Sequence, residues 1–112
     1  MQTISDSRLI GLSNTDFQSI IHIFASNSDI DTVFLYGSRA KGNFRKGSDI
    51  DITLSGSALT LRDLNQIELA LDNLMLPYSF DISLLTNIDN QELLEHIERV
   101  GLILYQKSME NL

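Results

Sequence analysis

The segment Asp49-Ile50-Asp51-Ile52-Thr53-Leu54 alternates strictly between polar and apolar residues. A period of two marks a half-buried strand, with Ile50, Ile52 and Leu54 on one face and Asp49, Asp51 and Thr53 on the other. Aspartate is depleted in strands, and like charges on one face disfavour ionisation of both. A fold containing this strand must cover one face with apolar side chains and give two carboxylates a reason to share the other. Ten residues upstream lies a second constraint, the pair Gly37-Ser38. It directly follows Thr32-Val33-Phe34-Leu35-Tyr36, a short apolar run rich in β-formers that reads as a buried strand.

The rest of the chain supplies elements to pack on these strands. Asn14 or Thr15 caps a helix with Phe17, Ile20, Ile21 and Phe24 on its apolar side, ending near Ser26-Asn27. Residues 61–75 carry apolar side chains at helical spacing, with Thr60 as cap, Asp63 three residues on and Pro77 as the stop. Residues 78–85 read as a third strand, with Phe80, Ile82 and Leu84 opposite Asp81 and Ser83. Asn90 caps a last helix that the apolar residues Leu93, Leu94, Ile97, Val100, Leu104 and Tyr105 extend to the end of the pattern. The linker between Tyr36 and Asp49 has room for one helical turn starting near Arg39 or Ala40. The order helix, strand, strand, helix, strand, helix predicts an α/β (α+β) fold with helices packed on a short sheet. Residues 1–12 are weakly patterned and read as a loose N-terminus. At 112 residues the whole chain, 1–112, is expected to form one domain.

Gly37 lets the backbone turn sharply and approach a ligand closely. Ser38 adds a hydroxyl and an amide, and a helix starting just after it favours a phosphate. Alone, a Gly-Ser pair is a common strand-ending turn. Asp49 and Asp51 change the weighing, because their Cα atoms lie roughly 6–7 Å apart on one strand face. They can converge on a hard cation with oxygen ligands, for which Mg²⁺ shared with substrate phosphates is the natural fit. The competing reading is a solvent-facing polar strand. Asp81 is the only carboxylate between Asp72 and Asp89, so it joins the pair if its strand lies alongside. Three acids would then serve two metals, or one metal and a base.

The formal net charge is −7, which opposes non-specific binding to nucleic acid. Four of the eight Lys and Arg nevertheless fall at Arg39, Lys41, Arg45 and Lys46. Cations gathered around one glycine loop of an acidic chain suggest a local anion site. The chain has no cysteine, which excludes disulfides and thiolate metal sites. No apolar run reaches the ~20 residues of a membrane span, and no basic-then-apolar leader begins the chain, so the expected location is the cytoplasm. His22 and His96 lie outside any metal-spacing cluster and read as packed or surface residues. Phe44, in the basic loop, reads equally as a loop anchor or a contact for a nucleobase or partner.

Gly37-Ser38, ten residues, then Asp49-Ile50-Asp51 resembles the signature of the DNA polymerase β-like nucleotidyltransferase superfamily. Residues 37–52 as a whole are similar to its minimal (MNT) members, as are Ile88-Asp89-Asn90 and the stretch from Leu93 to Tyr105. These members are single catalytic domains often encoded beside a helical HEPN-type protein. The resemblance implies a small nucleotidyltransferase fold with a short mixed sheet. It implies that Gly37 and Ser38 hold a triphosphate with Arg39, Lys41 and Ser48 nearby. Asp49 and Asp51 would ligate Mg²⁺ (two ions), and Asp81 would complete the metal site and accept the nucleophile's proton. The implied reaction is attack of a hydroxyl on the α-phosphate of a nucleoside triphosphate, with pyrophosphate leaving.

For a toxin–antitoxin member, the resemblance implies transfer of AMP from ATP to a tyrosine of a HEPN-type partner. The alternative is a non-catalytic antitoxin that neutralises its partner by occlusion, which an acidic surface suits. Transfer to a small molecule is disfavoured, because so short a chain leaves little material for an acceptor pocket.

Overall fold

The structure is a computed structural model, and it describes residues 1–107. The last five residues of the expected 1–112 domain lie outside the described residues. Helix α1 spans Asn14–Ala25, strand β1 Thr32–Tyr36, helix α2 Gly37–Lys41 and strand β2 Ile50–Ser55. Helix α3 (Leu61–Asp72), strand β3 (Phe80–Leu84), helix α4 (Gln91–Val100) and strand β4 (Leu102–Gln106) follow. The four strands form one mixed sheet in the order β3-β2-β1-β4. β1 runs antiparallel to both β2 and β4, and β2 runs parallel to β3.

The helices begin where side-chain caps satisfy their free amides. Ser13, one residue before the expected cap, accepts the amide of Asp16 at 3.1 Å. Thr60 and Asp63 form a reciprocal capping box on α3. Asn90 accepts the Leu93 amide at 3.1 Å, as its position in sequence predicts.

The period-two pattern sorts the sheet into two faces. Val33, Leu35, Ile50, Ile52, Leu54 and Leu84 join Ile20 and Phe24 of α1 and Ile67 and Leu71 of α3 in one core cluster. α4 crosses the opposite face. There Ile97 is buried outside that cluster, and the ring of His96 packs on Tyr36. The sheet is thus enclosed between α1 and α3 on one side and α4 on the other. Among the described residues, no helix is long and apolar enough to cross a membrane.

Two expectations change. The last helix stops at Val100, and residues 102–106 form β4 instead of continuing it. At Gly101 the chain leaves the helix in extended conformation, and because a side chain there would collide with the backbone carbonyl of Ile97, glycine suits this exit. The run Leu102-Ile103-Leu104-Tyr105 then pairs with the central strand β1. An apolar run that suits a helix buried all round suits an enclosed strand equally.

Residues 1–12 are also more ordered than their sequence suggests. Ile103 donates its amide to Gln2 at 2.8 Å, and Ile4 donates to Ile103 at 3.0 Å, so the N-terminus covers the free edge of β4. Ile10 and Leu12 are each only 2% exposed and belong to the core cluster. Leu12→Ala should therefore destabilise the protein by about 2–5 kcal/mol, as for other buried leucines. Urea denaturation measures this; a loose N-terminus would give a change within about 0.5 kcal/mol.

Candidate active site

β2 and β3 run parallel with Asp51 directly opposite Asp81. Across the other edge of β2, Asp51 pairs with Tyr36. Tyr36, Asp51 and Asp81 therefore form one row across three strands, on the face turned away from the α1–α3 core. Neighbouring strands lie about 4.8 Å apart, so the two carboxylates are side by side. Asp49, exposed, immediately precedes β2 and sits two residues from Asp51. Burial pushes the Asp51 carboxyl above its ordinary value, and the charges of Asp81 and Asp49 push it further; Arg39 opposes them. The Tyr36 hydroxyl is likewise raised by burial and then by Asp81 and Asp51, against a contribution from Ser83.

In the next row, Thr53 is fully buried and its hydroxyl donates to the Ser83 carbonyl at 3.3 Å. Ser83 Oγ donates to Thr53 Oγ1 at 3.0 Å. These two bonds tie β2 to β3 one step from the acids, which helps hold the register that pairs Asp51 with Asp81.

The Gly-Ser turn lies against this row. Gly37 has φ +73°, the left-handed region that favours glycine. A Cβ there would also overlap the Asp51 carboxylate. Two independent demands thus select glycine, and its lack of a side chain lets the turn approach Asp51. α2 begins at Gly37 itself, two residues before the earliest expected start. Ser38 is half-buried in its first turn, and the Ser38 carbonyl accepts the amides of Gly42 at 3.0 Å and Asn43 at 3.2 Å.

Arg39 does not project toward the acids as a free phosphate ligand. It is 3% exposed. Its Nη1 donates to Ile10 O at 2.9 Å, while Nε and Nη2 donate to Ser48 O at 3.1 and 2.7 Å. The rings of Phe44 and Tyr78 flank the guanidinium at 5.2 and 5.3 Å. Arg39 thus braces the N-terminal segment, α2 and the start of β2, and Phe44 anchors the basic loop. Ser48 Oγ accepts the Arg45 amide at 2.9 Å and closes that loop. Lys41 ends α2 and is exposed, as are Arg45 and Lys46.

One site contact had no signal in the sequence. His96, on α4, accepts the Gly37 amide through Nε2 at 3.1 Å. The two residues are far apart in sequence, and nothing in the local pattern around either marks the other.

The donor set suits a hard divalent cation. Asp49, Asp51 and Asp81 offer only carboxylate oxygens, and the Asp51 carboxyl, raised first by burial and then by the charges of Asp81 and Asp49, is one whose ionised form a cation would favour. Among the described residues, no three His, Cys, Asp or Glu side chains are drawn together closely enough to hold an ion as they stand.

Comparison with known proteins bears on fold and family. The model of the family described as "Polymerase beta, Nucleotidyltransferase" matches residues 18–110. No curated protein sequence matches the chain. Among solved structures, the fold is similar to a toxin–antitoxin crystallised with AMP-PNP, at 17% identity and TM-score 0.64, covering 89% of this chain and 78% of that one. It is similar to a complex of tri-AMPylated Shewanella oneidensis HEPN toxin with MNT antitoxin, at 16% identity and TM-score 0.63, covering 89% and 77%. A MntA–HepT toxin–antitoxin structure is similar at 17% identity and TM-score 0.61, covering 88% and 77%.

The raised Asp51 carboxyl has a consequence for stability. Its ionised form is less favourable in the fold than in the unfolded chain, so ionisation costs stability once the pH exceeds the ordinary value of 3.8. Asp51→Asn removes that cost and should raise Tm at neutral pH in the presence of chelator. The gain should disappear when the pH falls below 3.8, where Asp51 is protonated in both states. Thermal denaturation of both proteins across this range checks the sign.

Proposed function

Because the chain belongs to the polymerase β nucleotidyltransferase family, we propose that it transfers a nucleoside monophosphate, AMP from ATP, to a hydroxyl group of a protein. The acceptor is a tyrosine of a HEPN-type partner, and the transfer makes this chain an antitoxin of a cytoplasmic toxin–antitoxin pair. The observation that carries the reading is the row Asp51–Asp81 lying against the Gly37-Ser38 turn. Carboxylates crowded beside a glycine turn suit metal-assisted phosphoryl chemistry better than a solvated polar face. The folds of an AMP-PNP-bound toxin–antitoxin and of an AMPylated HEPN toxin complex with MNT antitoxin add support.

In this reading, Gly37 brings the backbone close to the triphosphate, and Ser38 offers its amide and hydroxyl. Lys41, exposed at the end of α2, adds positive charge for the outer phosphates. Asp49, Asp51 and Asp81 would hold Mg²⁺, which supplies charge neutralisation for the triphosphate and the departing pyrophosphate. The acceptor oxygen forms the new bond to the α-phosphorus, and the bond from that phosphorus to the bridging oxygen of the β-phosphate breaks. Asp81, the most open of the row, takes the proton from the acceptor hydroxyl. Arg39, committed to backbone carbonyls, holds the loop between α2 and β2 in place and contacts no phosphate.

Mg²⁺ with ATP should raise Tm, by the equivalent of about 2.7 kcal/mol at a nucleotide concentration 100 times Kd. Asp49→Asn combined with Asp51→Asn should abolish both that shift and transfer. With the purified pair, intact-mass measurement should find the partner heavier by one nucleotide only when ATP and Mg²⁺ are present. Full neutralisation of the partner by Asp51→Asn, with no mass gain, would instead establish occlusion.

A further inference from the structure

The peptide linking Tyr36 to Gly37 is the joint between β1 and α2, and it is held from two sides. On one side the Asp51 carboxylate occupies the space where a Gly37 side chain would be. On the other, Nε2 of His96 accepts the Gly37 amide at 3.1 Å. The imidazole is itself fixed, because its ring stands edge-on to Tyr36 with centroids 6.2 Å apart and an interplanar angle of 83°. Tyr36 in turn belongs to the row that contains Asp51 and Asp81. One histidine on the outer helix therefore touches both the end of β1, next to the Asp51 strand, and the first amide of the turn.

We propose that His96 is a positioning residue for nucleotide binding: by accepting the Gly37 amide it fixes the Tyr36–Gly37 peptide plane, and with it the placement of Ser38 relative to Asp51. The inference rests on the nucleotidyltransferase reading above. It also assigns the Gly37 amide a protein partner, so the phosphate contact at this turn comes from Ser38 and not from Gly37 N–H.

An acceptor role requires the neutral ring with its proton on Nδ1, since imidazolium has no free lone pair. The surroundings favour that form. Burial lowers the His96 pKa, and the cations Arg99 and Lys41 lower it further. Arg99 lies three residues along α4 and so on the same helical face, and Lys41 approaches from α2. From β1 the ring meets Tyr36, whose hydroxyl stays neutral because its own pKa is raised. Beyond Gly37 lies Asp51.

Two substitutions separate accepting a hydrogen bond from filling space. His96→Gln places a carbonyl oxygen near the position of Nε2, whereas His96→Phe keeps an aromatic ring on Tyr36 but has no acceptor. His96→Phe should raise KM for Mg²⁺–ATP about tenfold, the scale of one lost hydrogen bond with its donor left unpaired. His96→Gln should stay within about threefold of the original protein. The Gly37 amide resonance in a ¹H–¹⁵N spectrum gives a readout independent of activity. It should move upfield in His96→Phe and keep its place in His96→Gln. In the original protein it should follow His96 protonation at a pH below the ordinary histidine value of 6.5, and in His96→Gln it should not.

A Gly37 resonance indifferent to all of these changes, beside intact nucleotide binding, overturns the inference and leaves the proposed function standing. A resonance that responds while KM stays constant reduces His96 to a structural contact and also overturns it. An original protein that binds no nucleotide overturns the proposed function, and this inference with it, even where the resonance shows the hydrogen bond to be formed.

Discussion

The parallel, in-register pairing of β2 with β3 sets Asp51 beside Asp81, and this is the constraint to which the rest of the molecule is fitted. Two carboxylates on adjacent strands repel, and burial of one of them adds a desolvation penalty. The sheet keeps them together because the other face of the same strands buries Ile50, Ile52, Leu54 and Leu84 in the core. A slip of one residue would expose that apolar set and bury the acids. The hydrophobic pattern thus enforces a charge arrangement that electrostatics alone would disperse. In the proposed function this arrangement costs stability in the free protein, and a cation bound between the carboxylates would relieve that cost.

Around this row the structure places two braces. Arg39 joins the carbonyls of Ile10 and Ser48 beneath the loop that leads into β2. It thereby holds Asp49 at the start of that strand, although its own charge is turned inward. His96 reaches from the opposite layer to the first amide of α2. The turn carrying Ser38 is therefore set by contacts with three separate parts of the chain: the Asp51 carboxylate, the outer helix and the N-terminal segment. The exposed cations Lys41, Arg45 and Lys46 remain available to ligands on the surface of an otherwise acidic protein.

Much of this was legible in the sequence because its signals are local. Strict alternation identified β2 and its two faces, the capping residues Thr60 and Asn90 marked the starts of their helices, and the Gly-Ser spacing to the acids pointed to the family. Asp81 was readable as a candidate through the lack of any rival carboxylate nearby, but its pairing with Asp51 required the strand order. β4 departs from the expected helix because an apolar run without polar alternation satisfies a buried strand and a buried helix alike. The N-terminal segment reads as loose in sequence because Ile4, Ile10 and Leu12 are too sparse to set a period. A cation next to a phosphate motif looks the same in sequence whether it points outward or, like Arg39, inward. The His96–Gly37 bond joins residues 59 positions apart, and no local pattern encodes a contact of that kind.

In the proposed function, Asp49, Asp51 and Asp81 beside the Gly37 turn form a single cation site. Adding substoichiometric Mn²⁺ with nucleotide while recording a ¹H–¹⁵N spectrum tests it most directly, because the paramagnetic ion broadens only amides close to it. Broadening centred on Gly37, Ser38, Asp51 and Asp81, and lost in Asp51→Asn, is the predicted result. Broadening confined to other acidic surfaces, such as Glu92 and Glu95 of α4, with the Asp51 and Asp81 amides unchanged, would contradict the account.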